Sequence, residues 1–272
     1  MVGMIAIATA GVVMAQTSAP TRHPDPVIDG ILTRLEKRRV HDLRARLRWE
    51  LQYIVDDEAP QTKLGQIWYQ QADPVARFKV RFDAKLDDGV RRKLSEEHLF
   101  DGNWYIELND RSKTFTRREV RAANDRRDPY RLGEGAFPLP FGQRKEDILR
   151  EFTVERLKPA GNDPPNTERI KLTPHAGTHT DETYKTIELW IAKGGELDGL
   201  PLRVRAAKRD GTGEVNSYIT ISFSEIELNA GLSASIFKIQ KPPGYEEIVE
   251  RLQPAATSVE IRGGESHPAS GD

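Results

Sequence analysis

His175 and His179 stand four residues apart in His175-Ala-Gly-Thr-His179, with Asp181 and Glu182 just beyond. On a helix that spacing puts two imidazoles on one face, where they can hold a zinc ion. Pro174, Gly177 and the neighbouring threonines disfavour a helix, so the stretch reads as a solvated hairpin loop. The carboxylate pairs Asp56-Asp57, Asp87-Asp88 and Glu96-Glu97 sit in turn-like sequence. General acid–base chemistry needs two carboxyl environments converging on one substrate, which adjacency does not supply, and these pairs read as solvated turns. The basic doublets Arg91-Arg92, Arg117-Arg118 and Arg126-Arg127 read as solvated strand and loop surfaces. No G-x-S-x-G, phosphate-binding loop or dinucleotide fingerprint is present, and Gly133-Glu-Gly135 alone is a turn. With no cysteine, thiolate chemistry and disulfides are excluded. The residues support no enzyme, no resident metal and no cofactor.

What the sequence does carry is a pattern of strands. Lys and Arg total 41 against 42 Asp and Glu in 272 residues, so no global field draws the chain to nucleic acid. Charged residues make up 31% of the chain, which fits strands with one wet face. Leu43, Ala45, Leu47, Trp49, Leu51 and Tyr53 alternate with Arg44, Arg46, Arg48, Glu50 and Gln52, a long half-buried strand. Further strands follow at 67–69, 78–82, 104–108, 115–120, 152–154, 170–172, 187–191, 202–204 and 215–223, with Asp101-Gly102 a strong hairpin signal. Short strands at regular spacing predict one antiparallel sheet that curls.

Around this sheet lie other segments. Residues 2–15 (VGMIAIATAGVVMA) form a small-apolar run ending in Val13-Met14-Ala15, the hydrophobic region and cleavage site of an export signal. The expected organisation is a signal at 1–15, a linker at 16–26, one domain at 27–252 and a polar, disordered tail at 253–272. Ile28, Ile31, Leu32 and Leu35 place a helix over 27–37, with Asp29 early and basic residues late, as its macrodipole favours. Midway, GEGAFPLPFGQRKEDIL alternates Phe137, Leu139 and Phe141 with Pro138 and Pro140, which cannot join the middle of a sheet. A short helix is expected over 143–149. This apolar, proline-stiffened segment has the character of a lid, carried by Phe137, Leu139, Phe141, Ile148 and Leu149.

An export signal, an N-terminal helix, a curled antiparallel sheet and an inserted lid together resemble the LolA-like periplasmic lipoprotein carriers. The match runs from the helix at 27–37 through Gly65-Gln-Ile-Trp68, the strand at 74–82 and Phe100-Asp-Gly-Asn-Trp-Tyr105 to the close of the chain at 219–244. Where those carriers often place a basic residue before the proline of the third-strand region, this chain has Asp73. The resemblance implies a mainly β (α+β) fold, an incomplete β-barrel with its concave face covered by a helix and a lid. It further implies a periplasmic, non-enzymatic carrier for lipoprotein or lipid acyl chains, with membrane-bound donor and acceptor proteins and no nucleic acid. An envelope sensor or interaction module with a filled core is the alternative on the same fold. The chain is expected to be a monomer.

The expected cavity residues are Trp49, Trp68, Phe78, Val80, Phe82, Trp104, Ile106, Trp190, Ile221, Phe223 and Phe237. In 218–228 the apolar parity switches from Ile219, Ile221 and Phe223 to Ile226 and Leu228, which predicts a bulge at 224–226. The expectation is that Ile226 and Leu228 leave the face of Ile221. Residues 232–239 should return as the last strand, Phe223 and Phe237 near the cavity rim, and Pro242-Pro243-Gly244 guarding the edge.

Overall fold

The computed structural model describes residues 25–54, 59–72, 76–121, 132 and 141–252. The export signal, most of the linker, Asp73, Phe137, Leu139 and the tail from residue 253 lie outside the described residues.

The chain opens with helix α1 (Pro26–Lys37). Its Asp25 cap accepts a hydrogen bond from the Val27 amide, and Pro26 occupies the first turn, where no donor is lost. Six strands follow: β1 (Asp42–Tyr53), β2 (Gln61–Gln70), β3 (Arg77–Asp87), β4 (Val90–Phe100), β5 (Trp104–Asn109) and β6 (Thr114–Glu119). The second half holds α2 (Lys145–Glu151), β7 (Phe152–Leu157), β8 (Thr167–Pro174), α3 (His179–Thr183), β9 (Tyr184–Ala192), β10 (Pro201–Arg209) and β11 (Val215–Leu228). A 3-10 turn (Ala234–Phe237) and β12 (Glu246–Glu250) close the described chain. Asp88 and Gly89 both take positive φ between β3 and β4, the tight hairpin turn that right-twisted strands prefer.

All twelve strands form one sheet, ordered β12-β6-β5-β4-β3-β2-β1-β11-β10-β9-β8-β7. Among the described residues β12 and β7 are its two edges, and the sheet is not closed into a barrel. The sequence predicts antiparallel pairing throughout, and this holds except at the end: β12 runs parallel to β6. Residues 232–239 are not the last strand. They cross over the sheet, and Pro242-Pro243-Gly244 turns the chain into β12, which lies beyond the segment expected to finish the fold.

The two faces of the sheet carry different covers. On one, α1 and α2 lie over β7–β10, burying Ile28, Ile31, Leu32, Leu35 and Ile148 against Ile170, Leu172, Ile187, Leu189 and Val204. The Lys145 ammonium ties the helices together, 2.5 Å from the Asp29 carboxylate, and Arg34 pairs with the buried Glu168. On the other face, residues 232–245 lie across β2–β6. Leu232, Ile236, Phe237, Ile239 and Tyr245 cluster there with Trp68, Leu99, Trp104, Ile106 and Phe115.

The bulge predicted at 224–226 is present, and its consequence is the reverse of the one expected. Leu43 pairs with Leu228 and Arg46 with Ser224, so β11 gains a residue between them, and Glu225 takes φ 48°. An extra residue switches parity just where the apolar pattern switches. Ile226 and Leu228 therefore stay on the face of Ile221 and pack with it.

Candidate functional site

The helix-bearing face has a second half that, among the described residues, no helix covers. Across β4, β3, β2, β1 and β11 the cross-strand pairs place Phe100, Phe78, Val80, Phe82, Ile67, Tyr69, Leu43, Ala45, Leu47, Ile221 and Phe223 side by side. Alternation in five neighbouring strands makes this one continuous apolar field. α1 leans away onto β7–β10, because its Ile and Leu stripe matches the aliphatic residues of β8–β10. Among the described residues, the cover over the field comes from loop side chains: Val40, Ala76, Phe141, Leu197 and Leu200. The Phe141 ring sits 5.4 Å from Tyr69 and 5.3 Å from Phe223, centroid to centroid. The field is closed in this structure, with Ile67, Val80 and Ile221 each 0% exposed.

Of the eleven residues expected to line one cavity, six share this face: Trp49, Phe78, Val80, Phe82, Ile221 and Phe223. Trp49 is only half-buried and packs at the border of the field, with the Lys63 ammonium 5.3 Å from its ring centroid. Trp68, Trp104, Ile106 and Phe237 lie on the opposite face with the C-terminal crossing. Trp190 also points away from the helices, since it pairs with Arg203 while its neighbour Leu189 faces α1. The opposite-face aromatics carry guanidinium caps: Arg81 on Trp68, Arg117 and Arg251 on Trp104, Arg77 on Phe237, Arg169 and Arg203 on Trp190. The expected lid is divided too. Phe141 covers the apolar field, whereas Ile148 and Leu149 belong to the cluster under α1.

A charged chain of contacts borders the field at β2, β4 and β5, and adjacency in the sequence conceals it. Glu96 and Glu97 are in β4, not a turn, and alternation sends them to opposite faces. Glu97 pairs with Lys79 at 2.7 Å. Glu96 is 5% exposed and accepts both oxygens' worth of hydrogen bonds from the Lys63 ammonium, at 2.7 and 2.8 Å. His98 Nε2 lies 2.6 Å from Glu96 Oε1, and the Tyr105 hydroxyl 2.7 Å from His98 Nδ1. A carboxylate only accepts, so Nε2 carries a proton toward it, while the Tyr105 hydroxyl sits at Nδ1. Burial works to raise the Glu96 carboxyl, but hydrogen bonds from His98 and Lys63 and the Lys63 charge outweigh it, holding it at about 2. Burial pushes the Tyr105 hydroxyl above its usual range.

Glu96, His98 and Glu107 bring possible metal-ligand atoms within 4.8 Å of one another. The Lys63 ammonium already neutralises Glu96, and Nε2 is engaged as a donor, so this set is built as an internal ion pair. His175 and His179 behave differently from the simple loop expected. Thr178 caps the one-turn helix α3, which begins at His179 and leaves His175 outside it, bonded to the Arg150 carbonyl. Both rings are exposed.

Two polar cavities open elsewhere. One of about 380 Å³ lies over β1, β11, β10 and β9 on the face away from the helices, between Trp190, Tyr218, Arg169, Arg203 and Arg205. Another, of about 670 Å³, is lined by charged residues including Arg48, Lys63, Lys85 and Asp87. Neither has the lining an acyl chain requires. Among the described residues, no helix is long and apolar enough to cross a membrane.

No family model matches the sequence, and no curated protein matches it. Solved structures do. An uncharacterized conserved protein from Thermus thermophilus is 13% identical, covering 82% of this chain and 99% of that one, with a TM-score of 0.46. A putative outer membrane lipoprotein-sorting protein domain from Vibrio parahaemolyticus is 13% identical over 76% of this chain and 94% of that one, TM-score 0.39. A LolA superfamily protein from Nitrosomonas europaea is 12% identical over 78% and 97%, TM-score 0.37. What those proteins bind does not transfer at such identities.

Proposed function

We propose that the chain is a non-enzymatic binding protein for acylated cargo, a lipoprotein or lipid, working in the periplasm after export by residues 1–15. The observation that carries this reading is the five-strand apolar field that, among the described residues, no helix covers. Its cover, as far as it is described, is a set of loop side chains that includes Phe141. Each methylene of an acyl chain laid there gains roughly 0.8 kcal/mol, and such contacts need no polar partner. Cargo enters as the Phe141 segment lifts, and leaves when an acceptor offers a better apolar surface. Trp49, Phe78, Val80, Phe82, Ile221 and Phe223 are the binding residues of this proposal, with Phe137, Leu139 and Phe141 as its lid.

One observation favours a second reading, an envelope interaction module with a filled core. The aromatic residues of the field are buried by their own neighbours, Phe82 to 2% and Phe78 to 5%. A refolded, delipidated sample separates the two. The carrier reading expects stoichiometric uptake of a fluorescent sixteen-carbon acyl probe, weakened several-fold by Phe82→Ser. No uptake, together with no lipid in native mass spectra of the purified protein, would establish the filled core.

A further inference from the structure

The cavity of about 380 Å³ on the face away from the helices lies outside the proposed acyl field. Its floor is Trp190, held by a hydrogen bond from its indole N–H to Asp163 at 2.5 Å and clamped between Arg169, 4.8 Å from the ring centroid, and Arg203, 5.4 Å. Arg203 is itself fixed, donating to the Ser222 hydroxyl and the Asn162 carbonyl, and among the described residues it forms no ion pair. Burial works to raise the nearby Asp163 carboxyl, but hydrogen bonds from the Ala160 amide and the Trp190 indole and the charges of Arg169 and Arg203 hold it below the usual carboxylate range. Two residues along β10, Arg205 stacks on Tyr218 at 4.1 Å. Among the described residues it has no hydrogen bond or ion pair. The carboxylates bordering it are engaged elsewhere: Glu188 accepts two guanidinium donors from Arg169, and Glu50 accepts from Arg48. A half-buried guanidinium held in place by an aromatic ring, with its donors unused, is built for an anion that is not part of the fold.

The geometry points to a phosphate-binding site between Arg203 and Arg205. The two side chains leave the same face of one strand, about 7 Å apart at their backbones. A carboxylate presents its two oxygens along one edge, whereas a tetrahedral phosphate offers oxygens to donors on both sides at once. The cavity exceeds the size of phosphate alone and has room for a small ester group, as in glycerol phosphate or a phospholipid headgroup. The site is on the opposite side of the sheet from the proposed acyl field and does not depend on it.

The test titrates the full chain with glycerol 3-phosphate, following indole fluorescence, with Trp190→Phe identifying the responding ring. Parallel samples meet vesicles of phosphatidylglycerol or of phosphatidylcholine. Saturable binding of the soluble ester, weakened at least about tenfold in Arg205→Gln, supports the site with a soluble ligand. Binding only to phosphatidylglycerol vesicles, lost in Arg205→Gln, supports it with a lipid headgroup as the source. Arg203→Lys, which keeps the charge and loses the fork, repeats the measurement should Arg205→Gln fold poorly. No binding in either arm, or binding that both variants leave unchanged, overturns the proposal.

Discussion

Glu96→Ala is expected to destabilise the fold by about 3–5 kcal/mol, the usual cost of removing one partner from a buried ion pair. Lys63 would be left beside Trp49 and Phe82 without its carboxylate, and His98 would lose the acceptor that fixes its tautomer. Denaturant unfolding at neutral pH measures the loss. In Glu96→Ala with Lys63→Met, most of it should return, because the stranded ammonium has gone. The same carboxylate sets an acid limit. Its folded pKa, about 2, lies below its ordinary value of 4.5, so the stabilisation it gives is complete above that ordinary value. It is lost progressively as pH falls from about 4.5 towards 2. Glu96→Gln should flatten the stability curve in that window, and an unchanged curve would remove Glu96 from this role.

Gly65→Ala is expected to cost about 3 kcal/mol, at the upper end for an overpacked site. A methyl group there would sit 2.1 Å from the Arg81 carbonyl oxygen and 2.9 Å from the Phe82 Cα, and backbone cannot rotate aside. The register of β2 on β3 shifts between Leu64 and Gly65, so the strands approach closely where a side chain would stand. The substitution strikes the middle of the proposed acyl field, and Gly30→Ala serves as a control, since its nearest neighbour is a flexible arginine tip at 3.8 Å. Equal melting of the two variants would show that the β2–β3 approach is not constrained.

The sequence made the strands legible because charged and apolar residues alternate so regularly. β1, with arginine at 44, 46 and 48, is visible from its first residues, and α1 from its Ile and Leu spacing. Face assignment across the sheet was harder. A tryptophan reads as a cavity residue by type, yet only strand pairing shows that Trp68 stands opposite Lys79 while Phe82 stands opposite Gly65. The arginines that cap Trp68 and Trp104, Arg81 and Arg117, come from the neighbouring strands one pair away, so that signal too needs the register. Glu96 was hidden for a related reason. Its partner Lys63 comes from another strand, as does the Tyr105 that bonds to His98, and the doublet Glu96-Glu97 looks equally charged until the strand divides it between two faces. The parallel strand β12 could not be foreseen from Pro242-Pro243-Gly244, because the pairing that makes it a strand is with β6, far back in the chain.

The central claim is that acyl chains occupy the helix-bearing face of β1–β4 and β11. Photo-crosslinking a diazirine-bearing palmitoyl probe to the delipidated protein, followed by peptide mapping, tests it most directly. The account predicts crosslinks in the peptides carrying Leu47 and Trp49, Phe78 to Phe82, and Ile221 to Phe223, competed away by unlabelled palmitoyl cargo. Labelling confined to the peptides of Trp68, Trp104 or Trp190, or no competed labelling at all, would contradict it.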